Sequence, residues 1–379
     1  MKIKQHAFNS KSEIIEALNQ FDASAYDVHF IFADISYLAD NEIGNLIQSS
    51  FEKSVIMGCS TAGEIGLKKI SEGTFVITSV KLEKSTIRKT IFNLNEVSDS
   101  FSAGERIAKD LMDKNLKHVF VLSDGVNVNG TRLIEGINSV LDYTINVSGG
   151  LAGDNGNFTK TYVADGNNQF IPNCVSAIGF YGEHITTSSG SYGGWDSFGI
   201  DRIVTKSHEN IVYEIDGKPA LELYKSYLGD LSSELPGSAL FFPLEMRDHE
   251  DAELLVRTIL GVNEKDNSLT FAGNIPEGAF VRLMKTNVNR VIDGAEKAAD
   301  IIKNSMNENP ELVLMVSCVG RKLVLKQLTQ DEIEAVTDSF NEDVVFTGFY
   351  SNGELSKLKG NNLCNLHNQT MTLTAISEI

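Results

Sequence analysis

Side chains that could hold a small ligand follow glycine at three places in the sequence, each just after a short stretch with strand character. These places are residues 58–65 (GCSTAGEI), 150–157 (GLAGDNGN) and 347–355 (TGFYSNGEL). Short apolar runs predict buried strands, and glycine lets the backbone turn sharply or approach another group closely. Residues 269–274 form a fourth, degenerate copy. The repeated pattern predicts a duplicated fold with its site where these strands end.

Polar residues at these strand ends are the first candidates for ligand contacts, because ligands of open α/β sheets bind beyond the carboxyl ends of the strands. Hydroxyl and backbone N–H groups could hold a carboxylate, and an acidic side chain could hold an ammonium group, so a zwitterionic amino acid fits. The alternative is that the glycines only turn the chain and the acids cap neighbouring backbone. The candidates are Ser60, Thr61, Glu64, Asp124, Asp154, Asn155, Ser317, Tyr350 and Glu354.

Two arginines are candidate anchors for an anion, since a guanidinium group can grip a carboxylate with two parallel hydrogen bonds. Arg321 follows the predicted strand that ends at Ser317, and Arg282 lies within another predicted strand. Arg282 has a competing interpretation as an outward-facing strand residue or as part of an interdomain salt bridge.

Catalytic and metal-binding patterns are weak in this sequence. Cys318 with His367, or Ser60 alone, could act as a nucleophile, but residues 58–63 do not form the G-x-S-x-G elbow. Residues 125–130 lack the lysine of a phosphate-binding loop. The four cysteines are far apart and form no C-x-x-C pair, which argues against a zinc site or a disulfide framework. We therefore expect no enzyme activity, metal or cofactor.

Composition limits the partners and the compartment. The 379 residues are 42% hydrophobic and carry a formal net charge of -18, which opposes binding to nucleic acid or to anionic membranes. No apolar stretch has the length of a signal peptide or approaches the ~20 residues of a membrane helix. The sequence thus predicts a soluble protein of a reducing cytoplasm, without membrane insertion.

Alternating strand and helix patterns predict an α/β fold with mixed sheets. A unit of strand, helix, glycine-edged strand and hairpin recurs about four times, two in each of two domains that we place at residues 1–215 and 216–379. Capping-box spacing at residues 10–13 and 102–105 predicts two helix starts. The largely apolar run at residues 238–242 predicts a further strand.

Several motifs in order resemble the FIST family over nearly the whole chain. They are residues 58–64, 150–154 and 176–180, the junction at 210–221, and residues 348–354 and 366–374. The resemblance implies paired N- and C-terminal FIST domains that sense a small ligand, in a family found in bacterial signal-transduction proteins. Amino acids have been proposed as ligands for the family, and one branch is associated with haem and nitric oxide.

The main hypothesis is a stand-alone cytoplasmic sensor that binds a small polar metabolite, such as an amino acid. Unlike larger family members, these residues include no kinase, receiver or methyl-accepting region, so domain closure would signal in trans to a histidine kinase or similar protein of a two-component system. One alternative is a haem-binding nitric-oxide sensor with His367 as ligand. Another is a hydrolase or transferase that uses Cys318 or Ser60.

Overall fold

Three successive units of the same design build most of the protein. A computed structural model describes residues 1–379 except 53, 95–98, 250–251, 253 and 358–362. Unit 1 consists of β1 (Lys2–Phe8), α1 (Lys11–Asn19), β2 (Val28–Ala33), α2 (Ile35–Leu38), α3 (Asn41–Ser50), β3 (Val55–Ser60), β4 (Glu64–Gly66), β5 (Lys69–Ser71) and β6 (Phe75–Lys81). Unit 2 consists of β7 (Thr86–Asn93), α4 (Ser100–Leu111), β8 (Leu116–Ser123), α5 (Gly130–Asn138), β9 (Asn146–Leu151), β10 (Val163–Ala164), β11 (Phe170–Ile171) and β12 (Cys174–Tyr181).

Unit 3 begins with β13 (Ile185–Tyr192) and is then interrupted by a separate module, which we call the inserted module. The inserted module contains β14 (Asp196–His208), β15 (Ile211–Ile215), β16 (Lys218–Pro219), α6 (Ala220–Leu228), β17 (Leu244–Arg247), β18 (Leu255–Arg257), β19 (Ile259–Asn263), β20 (Ser268–Phe271) and β21 (Phe280–Lys285). Unit 3 resumes with α7 (Val288–Ser305), β22 (Leu312–Cys318), α8 (Val319–Leu325), α9 (Thr329–Thr337), β23 (Val345–Ser351), β24 (Gly353–Ser356), β25 (Asn365–His367) and β26 (Met371–Glu378).

The three units form three six-stranded sheets with the same strand order. Sheet 1 has the order β1-β6-β2-β3-β10-β11, sheet 2 has β7-β12-β8-β9-β24-β25, and sheet 3 has β13-β26-β22-β23-β4-β5. In each sheet the two central strands are parallel and their outer neighbours are antiparallel to them. The predicted α/β fold with mixed sheets and internal repetition is confirmed.

Each sheet is completed by a hairpin from a different unit. The hairpin β4–β5 of unit 1 pairs with β23 of unit 3, the hairpin β24–β25 of unit 3 pairs with β9 of unit 2, and the hairpin β10–β11 of unit 2 pairs with β3 of unit 1. The exchange therefore closes a circle of three. Backbone hydrogen bonds of a sheet thus tie every unit to the other two.

Glycines at equivalent positions let the two central strands of each sheet lie close together. Gly58 lies opposite Ile31, Gly149 opposite Val121, and Gly348 opposite Met315. A Cβ atom added at these glycines would stand 2.4, 1.9 and 1.8 Å from the carbonyl oxygen of the facing residue, far inside van der Waals contact. The glycine pattern in the sequence therefore reports close approach of neighbouring strands.

One apolar core joins the three sheets. It includes Phe30 and Phe32 of sheet 1, Phe120 of sheet 2, and Leu314 and Phe349 of sheet 3, all fully buried. The rings of Phe32 and Phe349 stack with their centroids 4.9 Å apart. Burial of large apolar side chains is the main favourable contribution to such a core.

Three expectations about the elements change in the structure. The fourth copy, residues 269–274, begins within β20 of the inserted module, which pairs antiparallel on both sides, so the described residues contain three units of the repeated design. Residues 237–241 form a 3₁₀ helix after Pro236 rather than a strand. Helix α4 starts at Ser100, because the carboxylate of Asp99 accepts a hydrogen bond from Ser102 N and caps the helix earlier than predicted.

The inserted module has its own sheet of eight strands, β18-β17-β21-β14-β15-β20-β19 with β16 beside β15. Its core lies between this sheet and α6 and includes Val212, Leu221, Tyr224 and Phe271. The boundary predicted between domains 1–215 and 216–379 falls between β15 and β16, inside this module. The division of the chain into these two domains stays a prediction.

We expect Phe349→Ala to destabilise the protein by about 3–5 kcal/mol, because the substitution opens a cavity where sheets 1 and 3 meet. Urea denaturation measures the effect, with Tyr143→Ala as the control, since Tyr143 is 62% exposed and should change stability by less than about 0.5 kcal/mol. Equal losses in the two variants would contradict a shared core.

Candidate functional site

The turns that follow β3, β9 and β23 meet one another. Each turn donates a backbone hydrogen bond to the strand end of another unit: Gly153 N to Ser60 O (2.9 Å), Ala62 N to Tyr350 O (2.8 Å) and Asn352 N to Leu151 O (3.1 Å). The structure therefore brings the three predicted strand ends together, in a circle that matches the hairpin exchange.

Glu64, a predicted ligand contact, lies buried within this circle and is held by protein groups. Its carboxyl accepts hydrogen bonds from the Thr61 hydroxyl, and from Thr74 N (3.0 Å) and Thr74 Oγ1 (2.8 Å). Burial raises the pKa of Glu64 to about 7. The side chain thus joins the turn to the strand that follows the hairpin.

Glu354 has the same arrangement in unit 3. Its carboxyl accepts from Ser351 Oγ (2.7 Å), Thr370 N (3.1 Å) and Thr370 Oγ1 (2.9 Å). Burial raises the pKa of Glu354 to about 8. The two glutamates are equivalent parts of the repeated fold, and both are fully buried.

The candidates in unit 2 and Ser60 also bind backbone. Asp124 accepts from three backbone N–H groups, and Asp154 accepts from three others at 2.6 to 3.1 Å. Ser60 Oγ donates to Gly153 O at 2.7 Å and accepts from Tyr162 N at 2.9 Å. Asn155 donates to a carboxylate of unit 1, Asp34, at 2.7 Å. These contacts hold the turns in place.

Ser317, Arg321 and Tyr350 form one buried network around Glu332. Arg321 pairs with Glu332 at 2.5 Å and donates to three backbone carbonyls. Ser317 Oγ donates to the same carboxylate at 3.2 Å, and Tyr350 Oη donates to it as well. All four side chains are fully buried. Arg321 is therefore compensated by the protein's own carboxylate.

Arg282 lies on β21, in the inserted module. It pairs with Asp201 at 2.6 Å, and the division predicted at residue 215 would separate these two residues, so the pair fits both the outward-strand and the salt-bridge interpretations. Beside it is an apolar cavity of about 190 Å³ lined by residues such as Phe198, Tyr224 and Leu283.

Cys318 and His367 make no contact with each other among the described hydrogen bonds. Burial raises the pKa of the Cys318 thiol far above its usual range, which disfavours the nucleophilic thiolate. His367 Nε2 lies 3.0 Å from Ser356 O, and burial lowers the pKa of His367 to about 4. The ring lines none of the five cavities described for the chain. These surroundings do not fit a haem ligand.

A cleft follows the seam between the inserted module and units 2 and 3. We describe it as three cavities. The inner cavity, about 150 Å³, lies at the ends of β22 and β23; the middle cavity, about 290 Å³, lies along residues 125–130; the outer cavity, about 430 Å³, lies beside α5. Phe158, Leu260, Ala272 and Asn352 line both the inner and middle cavities, and Glu209 and Asn274 line both the middle and outer ones.

Asn352 and Thr258 line the inner cavity, and each has a buried oxygen atom without a hydrogen-bond partner among the described residues, Asn352 Oδ1 and Thr258 Oγ1. Asn352 is 8% exposed and Thr258 is 3% exposed. The amide nitrogen of Asn352 donates to Gly125 O at 3.3 Å, so its oxygen is the free end. A buried polar atom without a partner is costly, and the presence of two such atoms in residues that line one cavity makes that cavity the candidate site.

Asn352 and Thr258 were not among the residues predicted from the sequence. Asn352 lies inside the motif at residues 347–355, two positions before the predicted Glu354. The available signal was its residue type, because an asparagine in a turn can offer its side-chain amide to another group. Thr258 lies in the inserted module, where no glycine pattern marks it, and only the packing of the module against unit 3 brings it to the site.

Family models match most of the chain: a FIST N domain at residues 27–218 and a FIST C domain at residues 220–357. The protein belongs to the FIST family. FIST domains are sensory domains, so the general prediction of a sensory protein is supported. The two family models meet at residues 218–220, within the inserted module.

One curated relative is an uncharacterized protein of Methanocaldococcus jannaschii, which is 25% identical in an alignment of 328 residues that covers 79% of this chain. The chain spans 60% of the length of that relative. Among solved structures, a chorismatase (6% identity, TM-score 0.35, 99% of this chain and 98% of that chain) and a cyanuric acid hydrolase from A. caulinodans (7% identity, TM-score 0.34, 99% of each chain) are similar.

None of the described helices of this FIST protein combines the length and the apolar character that crossing a membrane requires. Among the described residues, no group of three or more His, Cys, Asp or Glu side chains is placed to hold a metal ion.

We expect the stability of the protein to fall as the pH rises from 6.5 to 8. A carboxyl group whose pKa is higher in the folded state than its ordinary 4.5 stabilises the fold fully below pH 4.5 and loses that contribution as the pH passes the folded value, about 7 for Glu64 and 8 for Glu354. Buried His29, His118 and His367 act in the opposite direction, because burial lowers their pKa values below the ordinary 6.5. Their effect on the slope has fallen to half at pH 6.5 and fades as the pH rises further, so the two glutamates dominate.

Urea denaturation across pH 6.5 to 8 measures this slope, and Glu354→Gln should flatten its upper part. Glu135→Gln, on the surface, is the matched control and should keep the slope of the parent protein. Measurements stop at pH 8, because burial lowers the pKa of Lys89 to about 8 and its opposing effect grows as the pH approaches that value. A parent protein with constant stability over this range would contradict the raised pKa values.

Glu332→Ala should destabilise the protein by about 3–5 kcal/mol, since it leaves the buried Arg321 without a counterion. Glu135→Ala, which removes the exposed partner of Arg132, should cost less than about 1 kcal/mol. Equal effects in thermal denaturation would mean that Arg321 does not depend on Glu332.

Proposed function

We propose that this FIST protein is a sensor that binds a small polar metabolite in the inner cavity, with amino acids and related primary amines as the ligand class. The observation that supports the proposal is the pair of buried oxygen atoms without partners, Asn352 Oδ1 and Thr258 Oγ1. An amide oxygen can only accept hydrogen bonds. The ligand must therefore present N–H or O–H donors, as an ammonium group does.

The rest of the inner cavity favours a ligand with an apolar part. Leu240, Ile259, Leu260, Val319 and Leu323 line its wall. The volume of about 150 Å³ resembles that of apolar cavities known to hold a molecule of the size of benzene, about 150 Å³. A small amino acid with an aliphatic side chain matches both the size and the surface.

The energetics suit a signalling ligand. Each unpaired buried polar atom costs about 1–3 kcal/mol, so a donor that satisfies both contributes a sizeable part of the roughly 8 kcal/mol that micromolar binding needs. Apolar contacts must supply the remainder and offset the loss of ligand freedom.

Signalling would follow from the position of the ligand at the seam. Thr258 belongs to the inserted module, and Asn352 belongs to unit 3. A ligand that binds both would hold the module against the strand ends and change the surface around the seam. We propose that a histidine kinase or a similar signalling protein in the cytoplasm recognises this change.

We assign the strand-end residues predicted from the sequence a supporting role. Their polar atoms bind backbone and each other, and so they fix the turn that presents Asn352. We propose no catalytic step, because the buried Cys318 thiol has a raised pKa, and no haem, because His367 is enclosed by protein.

Calorimetric titration with a panel of amino acids and matched amines tests the proposal. The parent protein should bind at least one of them saturably. Thr258→Val, which removes a hydroxyl at nearly constant volume, should weaken binding by about tenfold or more. Thr144→Val, at an exposed position, should leave the affinity unchanged.

The same variant should not destabilise the unliganded protein. Because Thr258 Oγ1 has no described partner to lose, Thr258→Val should keep or raise the melting temperature while it weakens binding. A folded protein that binds none of the panel, or a Thr258→Val variant with unchanged affinity, would overturn the proposal.

A further inference from the structure

Among the described residues, Arg257 and Arg321 are the two bulkiest side chains that are fully buried, yet only Arg321 forms an ion pair with another described residue. Arg321 pairs with Glu332. Arg257 forms no ion pair within 4.0 Å with any described carboxylate. A buried charge normally requires a partner of opposite sign, so Arg257 needs an explanation.

The guanidinium of Arg257 is placed by backbone carbonyls alone. Its Nε donates to Asn274 O at 3.1 Å, and its Nη1 donates to Leu366 O at 2.9 Å and to Val256 O at 3.3 Å. Its Nη2 donates to none of the described groups. Burial lowers the pKa of Arg257 to about 10, and the group is therefore still charged at neutral pH.

Arg257 lines the outer cavity of about 430 Å³. Thr131, in the first turn of α5, lines the same cavity. Its Oγ1 accepts from Asn274 N at 3.3 Å, and its hydroxyl hydrogen can donate to a ligand. The cavity thus offers a fixed cation and a hydroxyl donor.

The other charges around the cavity decide which anion fits. Arg132 is balanced by Glu135, while the carboxylates of Glu209 and Asp248 also line the cavity. A doubly charged phosphate would be repelled by these two acids. Asp248 also acts on Arg257 and opposes the lowering of the Arg257 pKa by burial, but it forms no ion pair with Arg257. A singly charged carboxylate is repelled less by the two acids than phosphate is, and it gains the guanidinium group as its partner.

We propose that the outer cavity binds a small monocarboxylate, with Arg257 as its anchor and Thr131 as a second donor. Arg257 already joins the inserted module to the hairpin β24–β25 through Leu366 O. A bound carboxylate neutralises the buried charge and strengthens this junction. Occupancy of the outer cavity then stabilises the seam next to the inner cavity.

The inference does not depend on the ligand proposed for the inner cavity. Arg257 and Thr258 are neighbours in the chain, but they line different cavities. Thr258→Val should therefore leave carboxylate binding unchanged, and the two proposals can fail separately.

Thermal denaturation and calorimetry at pH 7 test the inference, with acetate and lactate compared with phosphate and with sodium chloride at equal ionic strength. The parent protein should show a saturable rise in melting temperature with a monocarboxylate. Arg257→Gln should weaken this binding by about tenfold or more. Arg106→Gln is the matched control, because Arg106 is an exposed arginine that lines none of the described cavities, and this variant should bind as the parent does.

If Arg257→Gln does not fold, Arg257→Lys provides the test, since it keeps the charge but loses the fork that holds a carboxylate and should also bind more weakly. Three results would overturn the inference: a response to carboxylates no larger than that to sodium chloride, unchanged binding in both Arg257 variants, or tighter binding of phosphate than of either carboxylate.

Discussion

The exchange of hairpins between units is the constraint on which this structure depends. No sheet of the three is complete without two strands from another unit, and the circle closes only when all three units are present. Hydrogen bonds between the turns at Ser60, Leu151 and Tyr350 follow the same circle. Backbone groups buried in a core must be paired, so these turns cannot change conformation independently of one another.

This constraint explains the polar residues at the strand ends. Glu64 and Glu354 occupy equivalent places and are held by hydroxyl and backbone donors, while Arg321 and Glu332 neutralise each other. Buried polar and charged side chains of this kind do not destabilise a core when all of their hydrogen bonds are formed. The polar atoms of these residues therefore bind other protein groups. The surface available to a ligand depends on the part of the protein that packs over the strand ends.

The inserted module supplies that cover, and it breaks the threefold repetition. It enters unit 3 alone, after β13, so the seam with units 2 and 3 has no counterpart of the same design within the described units. At this seam, Asn352 and Thr258 each have a buried oxygen atom without a described partner. Arg257 Nη2 donates to none of the described groups. Sensory proteins need elements whose contacts a ligand can complete, and a module joined across a seam is such an element.

The sequence by itself determined the local elements, the α/β class, the positions of the strand-end turns and the family. Strand and helix patterns and glycine positions are local, and so β2, β22 and β23 were predictable from them. The tertiary structure decided the number of units, the exchange of hairpins and the choice between neighbours such as Asn352 and Glu354. Those outcomes depend on partners distant in the chain, as with Arg257 and Leu366, and no local pattern specifies which groups remain unpaired after packing.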